Sequence, residues 1–427
     1  MIAAKALAYI PKQMDYLTSY QAGRNQNMAQ TLVSFLGRTP KSSKGYSKLK
    51  YSLDGETGNP FSYSGYFLKN KFSPARLVIL GTSGSMWDHL FEIDVDLGSQ
   101  EEDLRLALCA AVEQQQVTQP MLDELTPLLA SALGCELVLR VIPNGRSQAE
   151  QVEIISRISE ALGEDDRVSL DITHGYRHLP LLASMAVIYV NVIKPRIRFE
   201  HVWYGEYNAD EGTAIMTDVG GVLALNSWVD AIRRNEYTGD FGAIADIIGD
   251  VDITNDLKEA SFQESIHRGS KARAPLKRVR THLQANPLPG LGAMFQPVLE
   301  QRTGWVHDEK SFMRQRSQAM AALARGDTLR ATLFGFEAYI TRKMQESGNV
   351  SPGDIDKHRV RADFQDPGNR QIEFTSAEEK QQYIFLRNIR NALAHGDQLQ
   401  TKEIQAATNN QTTFTAELTK LLENLLN

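Results

Sequence analysis

The sequence is poor in residues that define several classes of protein. Only two cysteines, Cys109 and Cys135, occur among 427 residues, too few for a disulfide-stabilised fold or a cysteine-based metal centre. Both lie in apolar helix or strand contexts, where a free cysteine packs as a small hydrophobic residue. This usage fits a reducing compartment, so we expect a cytoplasmic protein that needs no metal and no cofactor.

Long apolar runs and an excess of positive charge are also missing. No stretch approaches the ~20 residues that a membrane-spanning helix needs, and the apolar segment 1–10 lacks the cleavage site of a signal peptide. The net charge of −6 argues against a protein that coats nucleic acid through a basic surface. We therefore expect a globular protein without membrane association, long enough for two or three domains.

The first half of the chain alternates apolar runs with helical patterns. This alternation predicts a doubly wound α/β domain with a parallel sheet, in which ligands bind beyond the carboxyl ends of the strands. A helix that begins after Ser147 should turn Val152, Ile155, Ile158 and Leu162 inward. A hairpin is expected over 196–217. The predicted strands are 31–36, 63–68, 77–80, 136–142 and 168–172, and the first two predicted helices are 101–116 and 121–133.

Three of these strands end in loops that are rich in small and polar residues. The loops supply hydroxyl, backbone and guanidinium donors, and Pro180 opens a helix directly after the third, so together they predict a phosphate-binding edge. We call this set the strand-end rim; it consists of Gly37, Arg38 and Thr39, then Thr82, Ser83, Gly84 and Ser85, and finally Thr173, His174, Gly175 and Arg177, with Asp171 in support.

Other interpretations of these loops stay open. The 81–86 loop lacks the lysine of a Walker motif and the third glycine of a dinucleotide fingerprint, and such loops are often simple tight turns. Asp171 can cap a structural turn. His174 and His178 are four residues apart but have no third ligand in a recognisable pattern, so we predict no metal site.

The second half of the chain reads as helices. A run from His267 to Arg280 carries six basic residues and no acid; it is either a solvated face or a cationic slope that guides RNA. The segment 286–290 breaks the pattern and marks a boundary. Asp327 is expected to cap a helix over 328–346, and the charged, Pro- and Gly-containing segment 351–371 to form a loop between helices.

The sequence Arg390-Asn391-Ala392-Leu393-Ala394-His395-Gly396 lies near the C-terminus. Leu386, Ile389 and Leu393 supply a buried stripe, and Ser376 with Glu379 begins a capped helix that Gly396 ends. Arg390 and His395 converge only because the helix stops there. An arginine beside a histidine that titrates near neutrality suits phosphodiester chemistry. A solvated helix end is the alternative.

Both halves carry resemblances to known families. The motif Asp171-x-Thr173-His174-Gly175-Tyr176-Arg177-x-x-Pro180, together with the strand ends at Gly37 and Gly81, resembles the CARF domain of type III CRISPR accessory proteins. The Arg390–His395 sequence resembles the Arg-x4–6-His motif of HEPN ribonucleases. The whole chain is thus similar to the Csx1/Csx2-like, Csm6-related CARF–HEPN ribonucleases of antiviral defence.

This resemblance implies a Rossmann-like CARF domain followed by a helical HEPN domain, that is, α/β plus all-α. The expected regions are an N-terminal extension (1–27), the CARF domain (28–220), a helical linker region (221–290) and the HEPN domain (291–427). It also implies a homodimer, with higher oligomers possible in principle, and a cyclic oligoadenylate activator. Cyclic tetra-adenylate is the expected form, with a six-adenylate ring left open.

The implied activity is metal-independent cleavage of single-stranded RNA to 2′,3′-cyclic phosphate and 5′-hydroxyl ends. Arg390 would contact the phosphate, His395 would move or align a proton, and Asn391 would hold a hydrogen bond, while Glu337 would orient Arg390 or form a structural ion pair. Two alternatives stay open: a sensor that acts through a partner without cleaving RNA, and a ring nuclease that degrades the cyclic oligoadenylate itself.

Overall fold

A computed structural model describes residues 30–38, 47–208, 210–351, 353–355, 357–366, 371–395 and 402–427 of the chain, without the side chains of residues 222, 395 and 403. Two compact units meet between Asn226 and Ser227. The first is an α/β unit and the second is helical, which confirms the predicted fold class. The predicted linker region from residue 227 onward and the predicted C-terminal domain lie in one unit, and the predicted extension 1–27 lies outside the described residues.

The α/β unit is built on one eight-stranded sheet with the order β3-β2-β8-β7-β6-β1-β4-β5. Its centre is parallel, because β1 pairs in parallel with both β4 and β6, and these pair in parallel with β5 and β7. The strands are β1 (Gln30–Leu36), β2 (Leu49–Leu53), β3 (Glu56–Phe61), β4 (Arg76–Gly81), β5 (Glu136–Val141), β6 (Arg167–Asp171), β7 (Arg198–Asn208) and β8 (Thr213–Asp218). The chain crosses from one side of β1 to the other before β6, which places the topological switch point at the end of β1.

Helices cover both faces of the sheet. Alternate residues of β1 enter different cores, with Leu32 and Leu36 in one and Val33 and Phe35 in the other, as the two-residue period of a strand requires. The first core includes residues of α1, α3 and α4, and the second includes residues of α5 and α6. These helices are α1 (Ser64–Phe72), α2 (His89–Glu92), α3 (Glu102–Gln114), α4 (Gln119–Leu133), α5 (Gln148–Glu160) and α6 (Leu179–Ile193).

Two local predictions in this unit are wrong. The segment 63–68 is not a strand, because Tyr63 is the N-cap of α1; β2 and β3 instead form a hairpin just before it, through a turn in which Asp54 and Gly55 both have positive φ. In α5 the inward residue is Ile154 rather than Val152, which is 60% exposed. The helix begins one residue after Ser147, whose Oγ accepts from the backbone N of Glu150 at 3.3 Å, as predicted.

The second unit is helical throughout its described part, apart from turns. Its helices are α7 (Gly221–Thr238, which begins in the first unit), α8 (Gly242–Ile248), α9 (Val251–Ser265), α10 (Gly269–Ala285), α11 (Leu291–Arg302), a 3₁₀ turn (Gly304–His307), α12 (Ser311–Ala324), α13 (Thr328–Ser347), α14 (His358–Gln365), α15 (Ala377–His395), α16 (Lys402–Ala407) and α17 (Gln411–Leu426). The predicted loop 351–371 therefore contains a helix, α14, which Phe364 anchors in the core.

Two hydrophobic clusters hold this unit. One is formed by α7–α11 with the 3₁₀ turn, and the other by α12–α17 around the buried helix α13. Asp327 caps α13, as predicted, by accepting from the backbone N of Arg330 at 3.0 Å. None of the helices in the described parts of the chain combines the length and the apolar character that a bilayer crossing requires.

Candidate functional site

The loops that follow β1, β4 and β6 meet at the switch point of the sheet. The backbone N of Met86 donates to the carbonyl O of Gly37 at 2.9 Å. A side chain on Gly37 would come within 2.8 Å of the backbone N of Gly175, and Gly175 itself has a φ of +99°. Only glycine permits this approach and this backbone conformation. The strand-end rim is therefore one contiguous edge, although Thr39 lies outside the described residues.

Two of the hydroxyl groups predicted to bind a ligand stabilise the rim from within. The side chains of Thr82 and Ser85 are buried. Ser85 Oγ donates to the carbonyl O of Leu36 at 2.7 Å and accepts from the backbone N of Thr82 at 2.9 Å. These bonds fasten the β4 loop to the end of β1. Ser83 and Gly84, between them, are partly exposed and are the residues of this loop that a ligand can reach.

Asp171 is the central buried polar group of the rim. Its carboxylate is completely inaccessible to solvent and accepts hydrogen bonds from Ser34 Oγ and Ser64 Oγ, both at 2.6 Å, and from the backbone N of Thr173 at 3.0 Å. Three donors satisfy the charge that burial would otherwise penalise. Asp171 thus joins β1, α1 and the β6 loop, which is the capping role that the sequence left open.

Thr173 and His174 face the interior of the rim. Thr173 Oγ1 accepts from the backbone N of Gly205 on β7 at 2.9 Å. The His174 ring lies 5.6 Å from the Tyr63 ring and accepts weakly, at 3.4 Å, from the backbone N of Ser64. Burial lowers the pKa of His174, although Asp171 opposes this effect. A neutral acceptor imidazole suits a hydrogen-bonding role better than an anion-binding one.

Exposed cations and a ring remain at the outer edge. Arg38, Gly175, Tyr176 and Arg177 are all exposed. The Tyr176 ring stacks on His178, with 5.6 Å between ring centroids. His178 in turn bonds the carbonyl O of Asn144, in the loop after β5, at 2.8 Å. The outer edge can therefore offer two guanidinium groups to phosphates and an aromatic ring to a base. Tyr176 was part of the sequence motif but was not predicted as a contact.

The helix that leaves the rim exposes an apolar stripe. Residues Leu181, Met185, Tyr189 and Val192 recur along one face of α6, and Val192 is 76% exposed. The opposite face, with Ala183, Ala186 and Val190, is buried against the sheet. The α/β unit thus buries one apolar face of α6 and leaves the other apolar face exposed. An exposed apolar patch of this kind is typical of an interaction site. The sequence showed Pro180 and an apolar helix but not which face stays uncovered.

In the helical unit, Arg390 lies near the end of α15. Its guanidinium carbon is 5.3 Å from the centroid of the Phe336 ring, and its Nη1 donates to Asn391 Oδ1 at 3.0 Å. Its buried Nε has no hydrogen-bond partner in the described part of the chain. Because that atom is buried, an incoming acceptor could bind only the terminal nitrogens of the guanidinium. The helix ends at His395, whose side chain, like Gly396, lies outside the described residues.

Glu337 pairs with a different arginine from the one predicted. Its carboxylate forms an ion pair with Arg361 of α14, which also donates to the Glu337 carbonyl O at 3.2 Å and to Thr341 Oγ1 at 2.9 Å. This is the structural ion pair that the sequence left open. Among the described contacts, Arg390 is oriented by a ring rather than by a carboxylate.

A stack of aromatic rings supports Phe336. The ring of Tyr383 lies between Phe336 at 6.2 Å and Tyr339 at 5.4 Å. Tyr339 donates from its hydroxyl to Glu379 Oε1 at 3.0 Å, and Lys343 reaches the same oxygen at 2.7 Å. Helices α13 and α15 are thereby locked together directly behind Arg390. The sequence pointed to Glu379 as a capping residue, but its spacing gave no sign of this second role.

The basic run on α10 is largely engaged in structure. Arg273 Nε donates to the carbonyl O of Val306 at 3.0 Å, Arg278 pairs with Asp256, and Arg280 Nη1 donates to Thr303 Oγ1 at 3.1 Å. Half of the six basic residues therefore fasten α10 to neighbouring elements. These contacts do not indicate a continuous cationic surface along α10 that would guide RNA.

Comparison with known proteins shows what the first unit is similar to. Residues 31–210 match the family model described as CRISPR system endoribonuclease Csx1, CARF domain. The CRISPR-associated protein MJ1674 of Methanocaldococcus jannaschii is 20% identical over 262 residues, which cover 55% of this chain and 41% of that protein. A solved structure, Enterococcus italicus Csm6 bound to cyclic hexa-2′-fluoro-hexa-dAMP, aligns with 93% of this chain and 94% of its own, with 14% identity and a TM-score of 0.37.

The matched span contains the whole parallel centre of the sheet and all three loops of the strand-end rim. The family assignment and the convergence of those loops thus rest on the same residues. The first unit therefore matches the CARF domain of that family model, and the chain is similar through this unit to a CRISPR-associated protein.

Proposed function

We propose that the protein is an RNA endonuclease of the HEPN type that a cyclic oligoadenylate switches on. The observation that carries the proposal is the presence, in one chain, of a CARF domain with a cationic outer rim and of the Arg390–His395 sequence at the end of a packed helix. The first feature supports recognition of a ring of phosphates, and the second supports phosphodiester cleavage. The family name of the matched model, an endoribonuclease, agrees with both.

For this cleavage the protein needs only to position the RNA strand and to stabilise the negative charge that develops on the phosphate. The RNA 2′-hydroxyl attacks the adjacent phosphorus, the bond to the 5′-oxygen breaks, and the products are a 2′,3′-cyclic phosphate and a 5′-hydroxyl. Arg390 is placed to neutralise the charge that develops on the phosphate oxygens, with Phe336 and Asn391 fixing its guanidinium. His395 takes the role of proton carrier or aligning group. No step calls for a metal ion.

Recognition of the activator is assigned to the outer rim. Each phosphate of a cyclic oligoadenylate carries one negative charge, which Arg38 and Arg177 can neutralise, and Tyr176 offers a ring to an adenine. The reachable backbone of Ser83 and Gly84 completes the edge. The inner residues Thr82, Ser85 and Asp171 hold this edge in shape and act on the ligand only through it.

A second copy of the chain is the proposed cover for the apolar stripe of α6. The stripe begins within one turn of the rim, so a two-fold axis beside it would bring two rims together around one ring-shaped ligand. Ligand binding would then shift the population towards the arrangement in which both Arg390–His395 pairs act on one RNA strand. Assembly beyond a dimer follows from none of these contacts.

The decisive experiment is cleavage of a fluorogenic single-stranded RNA in EDTA, with cyclic tetra-adenylate and cyclic hexa-adenylate supplied separately. We expect cleavage with one ring and none without it. Arg390→Ala should abolish cleavage, while Arg387→Ala, one turn earlier on the same helix, should retain it. Cleavage by Arg390→Ala at the wild-type rate would refute the assignment of the catalytic centre.

A separate binding measurement tests the sensor. Isothermal titration with the activating ring should show a large loss of affinity in Arg177→Ala. The matched control is Arg196→Ala, because Arg196 is an exposed arginine of the same unit that pairs with Asp165 away from the rim. Equal affinity in the wild type and Arg177→Ala would refute the rim as the binding site without bearing on the nuclease centre.

A further inference from the structure

A second pocket of ligand size lies in the helical unit. It has a volume of about 480 Å³, within the range of sites that hold small organic ligands. The end of α7, the end of α9, the 3₁₀ turn and the start of α13 contribute to its wall. We call it the Arg325 pocket; its principal lining residues are Glu264, Arg302, Trp305, Arg325, Arg330 and Phe334.

Three guanidinium groups converge on this pocket. Burial has the largest effect and lowers the pKa of Arg325; Asp327 and Glu264 oppose it, while the nearby Arg330 and Arg302 lower the pKa further. The buried Nε of Arg325 has no hydrogen-bond partner in the described part of the chain. A buried donor without an acceptor costs free energy, and so does the repulsion between neighbouring guanidinium groups. An anionic ligand would supply an acceptor and an opposite charge, and so would reduce both costs.

The acidic groups around the pocket are already engaged. Arg302 pairs with Glu236 at 3.2 Å and Arg330 with Asp327 at 3.3 Å, and Asp308 accepts from Ser317 Oγ at 2.8 Å. Lys258 and Asp240 lie on the far side of Glu264, in an adjoining groove. Arg325 is therefore the cation of this group for which no described ion pair provides a counter-charge.

Glu264 fills that role only in part near neutral pH. Burial raises the pKa of its carboxyl to about 7, against the opposing effects of Arg325, Gln318 and Arg330. Near that pH the protonated fraction can donate a hydrogen bond to an acceptor oxygen. The pocket then presents Arg325, which has no described ion pair, beside two arginines that each pair with one acid, and this set favours a phosphate over a neutral molecule.

Backbone geometry keeps the cationic end open. Gly239 ends α7 with a φ of +74°, and a side chain at this position would meet the guanidinium carbon of Arg325 at 3.0 Å. The half-buried Trp305 and the buried Phe334 also line the pocket. Guanidinium groups and aromatic side chains in one pocket match a ligand that carries both a phosphate and a planar ring.

We propose that the Arg325 pocket binds a nucleoside monophosphate, with the phosphate on Arg302, Arg325 and Arg330 and the base against Trp305. This site is separate from the strand-end rim and from Arg390, and it does not depend on either assignment. Because binding favours protonated Glu264, affinity should fall as the pH rises above 7.

Isothermal titration of the full chain with AMP tests the proposal, with adenosine and inorganic phosphate as partial ligands. We expect saturable binding of AMP that is at least tenfold tighter than binding of either part. Arg325→Gln and, separately, Arg302→Gln should each weaken AMP binding by tenfold or more. Arg234→Gln is the matched control, since Arg234 is an exposed arginine of α7 outside the pocket.

Two further arms separate this site from others. Arg177→Gln, in the α/β unit, should leave AMP affinity unchanged, which excludes the strand-end rim as the source of the signal. Arg302 is partly exposed, with 31% of its side chain accessible, so its variant reports on binding even if replacement of Arg325 disturbs folding. No saturable AMP binding to the wild type, wild-type affinity in both pocket variants, or phosphate binding as tightly as AMP would overturn the proposal.

Discussion

The guanidinium of Arg390 packs against the ring of Phe336, with 5.3 Å from Cζ to the ring centroid. A cation held over a ring keeps its hydrogen-bonding edge free, whereas a carboxylate partner would occupy that edge. This difference matters for a residue proposed to receive a phosphate. Helix α13 thus contacts Arg390 through the ring of Phe336, while Glu337 of the same helix forms an ion pair with Arg361 of α14.

Replacing Phe336 should therefore slow RNA cleavage without removing the catalytic groups. A cation–π contact contributes roughly 0.5–2 kcal/mol, so Phe336→Leu is expected to lower the single-turnover rate about 2- to 30-fold. The control is Phe334→Leu, a buried phenylalanine of the same helix that does not contact Arg390 in the described structure. Equal rates in the two variants would show that the ring does not position Arg390.

Asp171 should matter for the stability of the CARF domain more than for ligand contact. Asp171→Asn replaces a carboxylate that accepts three hydrogen bonds, and the amide can only accept on one side. We expect a loss of about 2–4 kcal/mol in the free energy of unfolding, measured by urea denaturation. Asp165→Asn, at an exposed ion pair, should change it by less than about 1 kcal/mol. Similar values for both variants would contradict the buried role.

The apolar stripe of α6 makes a prediction about assembly. Met185→Glu places a charge in the middle of the proposed interface, so light scattering coupled to gel filtration should show a monomer where the wild type is a dimer. Val152→Glu is the matched control, because Val152 is an exposed apolar residue on the neighbouring helix α5. A wild-type monomer, or a dimer that survives Met185→Glu, would refute the proposed axis.

Glu264 makes a prediction about pH. Its folded pKa of about 7 lies above the value of 4.5 for a free glutamate, so the folded state binds the proton more tightly than the unfolded state. The wild type should therefore lose stability relative to Glu264→Gln as the pH rises from 4.5 to 7, by at most about 3 kcal/mol. Denaturation curves of both proteins at pH 5, 6, 7 and 8 measure the difference, and a gap that does not widen with pH would refute the shifted pKa.

The parts of the fold that follow from local pattern could be predicted from the sequence. The apolar runs of β1, β4 and β6 are buried on both faces, so each forms a short continuous signal, and small residues mark the loops at their ends. The prediction of a strand over 63–68 failed because a buried helix and a buried strand look alike over so short a segment with aromatic and apolar side chains. Helix α14 was missed because charge, Pro and Gly in 351–371 conceal an eight-residue helix held by one phenylalanine.

Contacts between residues that are distant in the sequence were harder to predict than the positions of helices and strands along the chain. The sequence placed Asp171, Thr82 and Ser85 at the strand ends but gave no means of telling which hydroxyl groups point inward. The pairing of Glu337 with Arg361 depends on α14, an element that was not predicted. The Arg325 pocket joins five separate stretches of the chain between residues 235 and 334, and no spacing within any one of them indicates a site.

The order of strands in the sheet also bears on synthesis of the protein. Thr31 and Ser34 on β1 hydrogen-bond to Asp166 and Asp171, 135 and 137 residues later. A nascent chain cannot complete the sensor until β6 has left the ribosome, and until then β1 has one open edge. Release of β6 is thus the event that closes this edge, and translational pausing before residue 171 would leave the growing polypeptide exposed to aggregation.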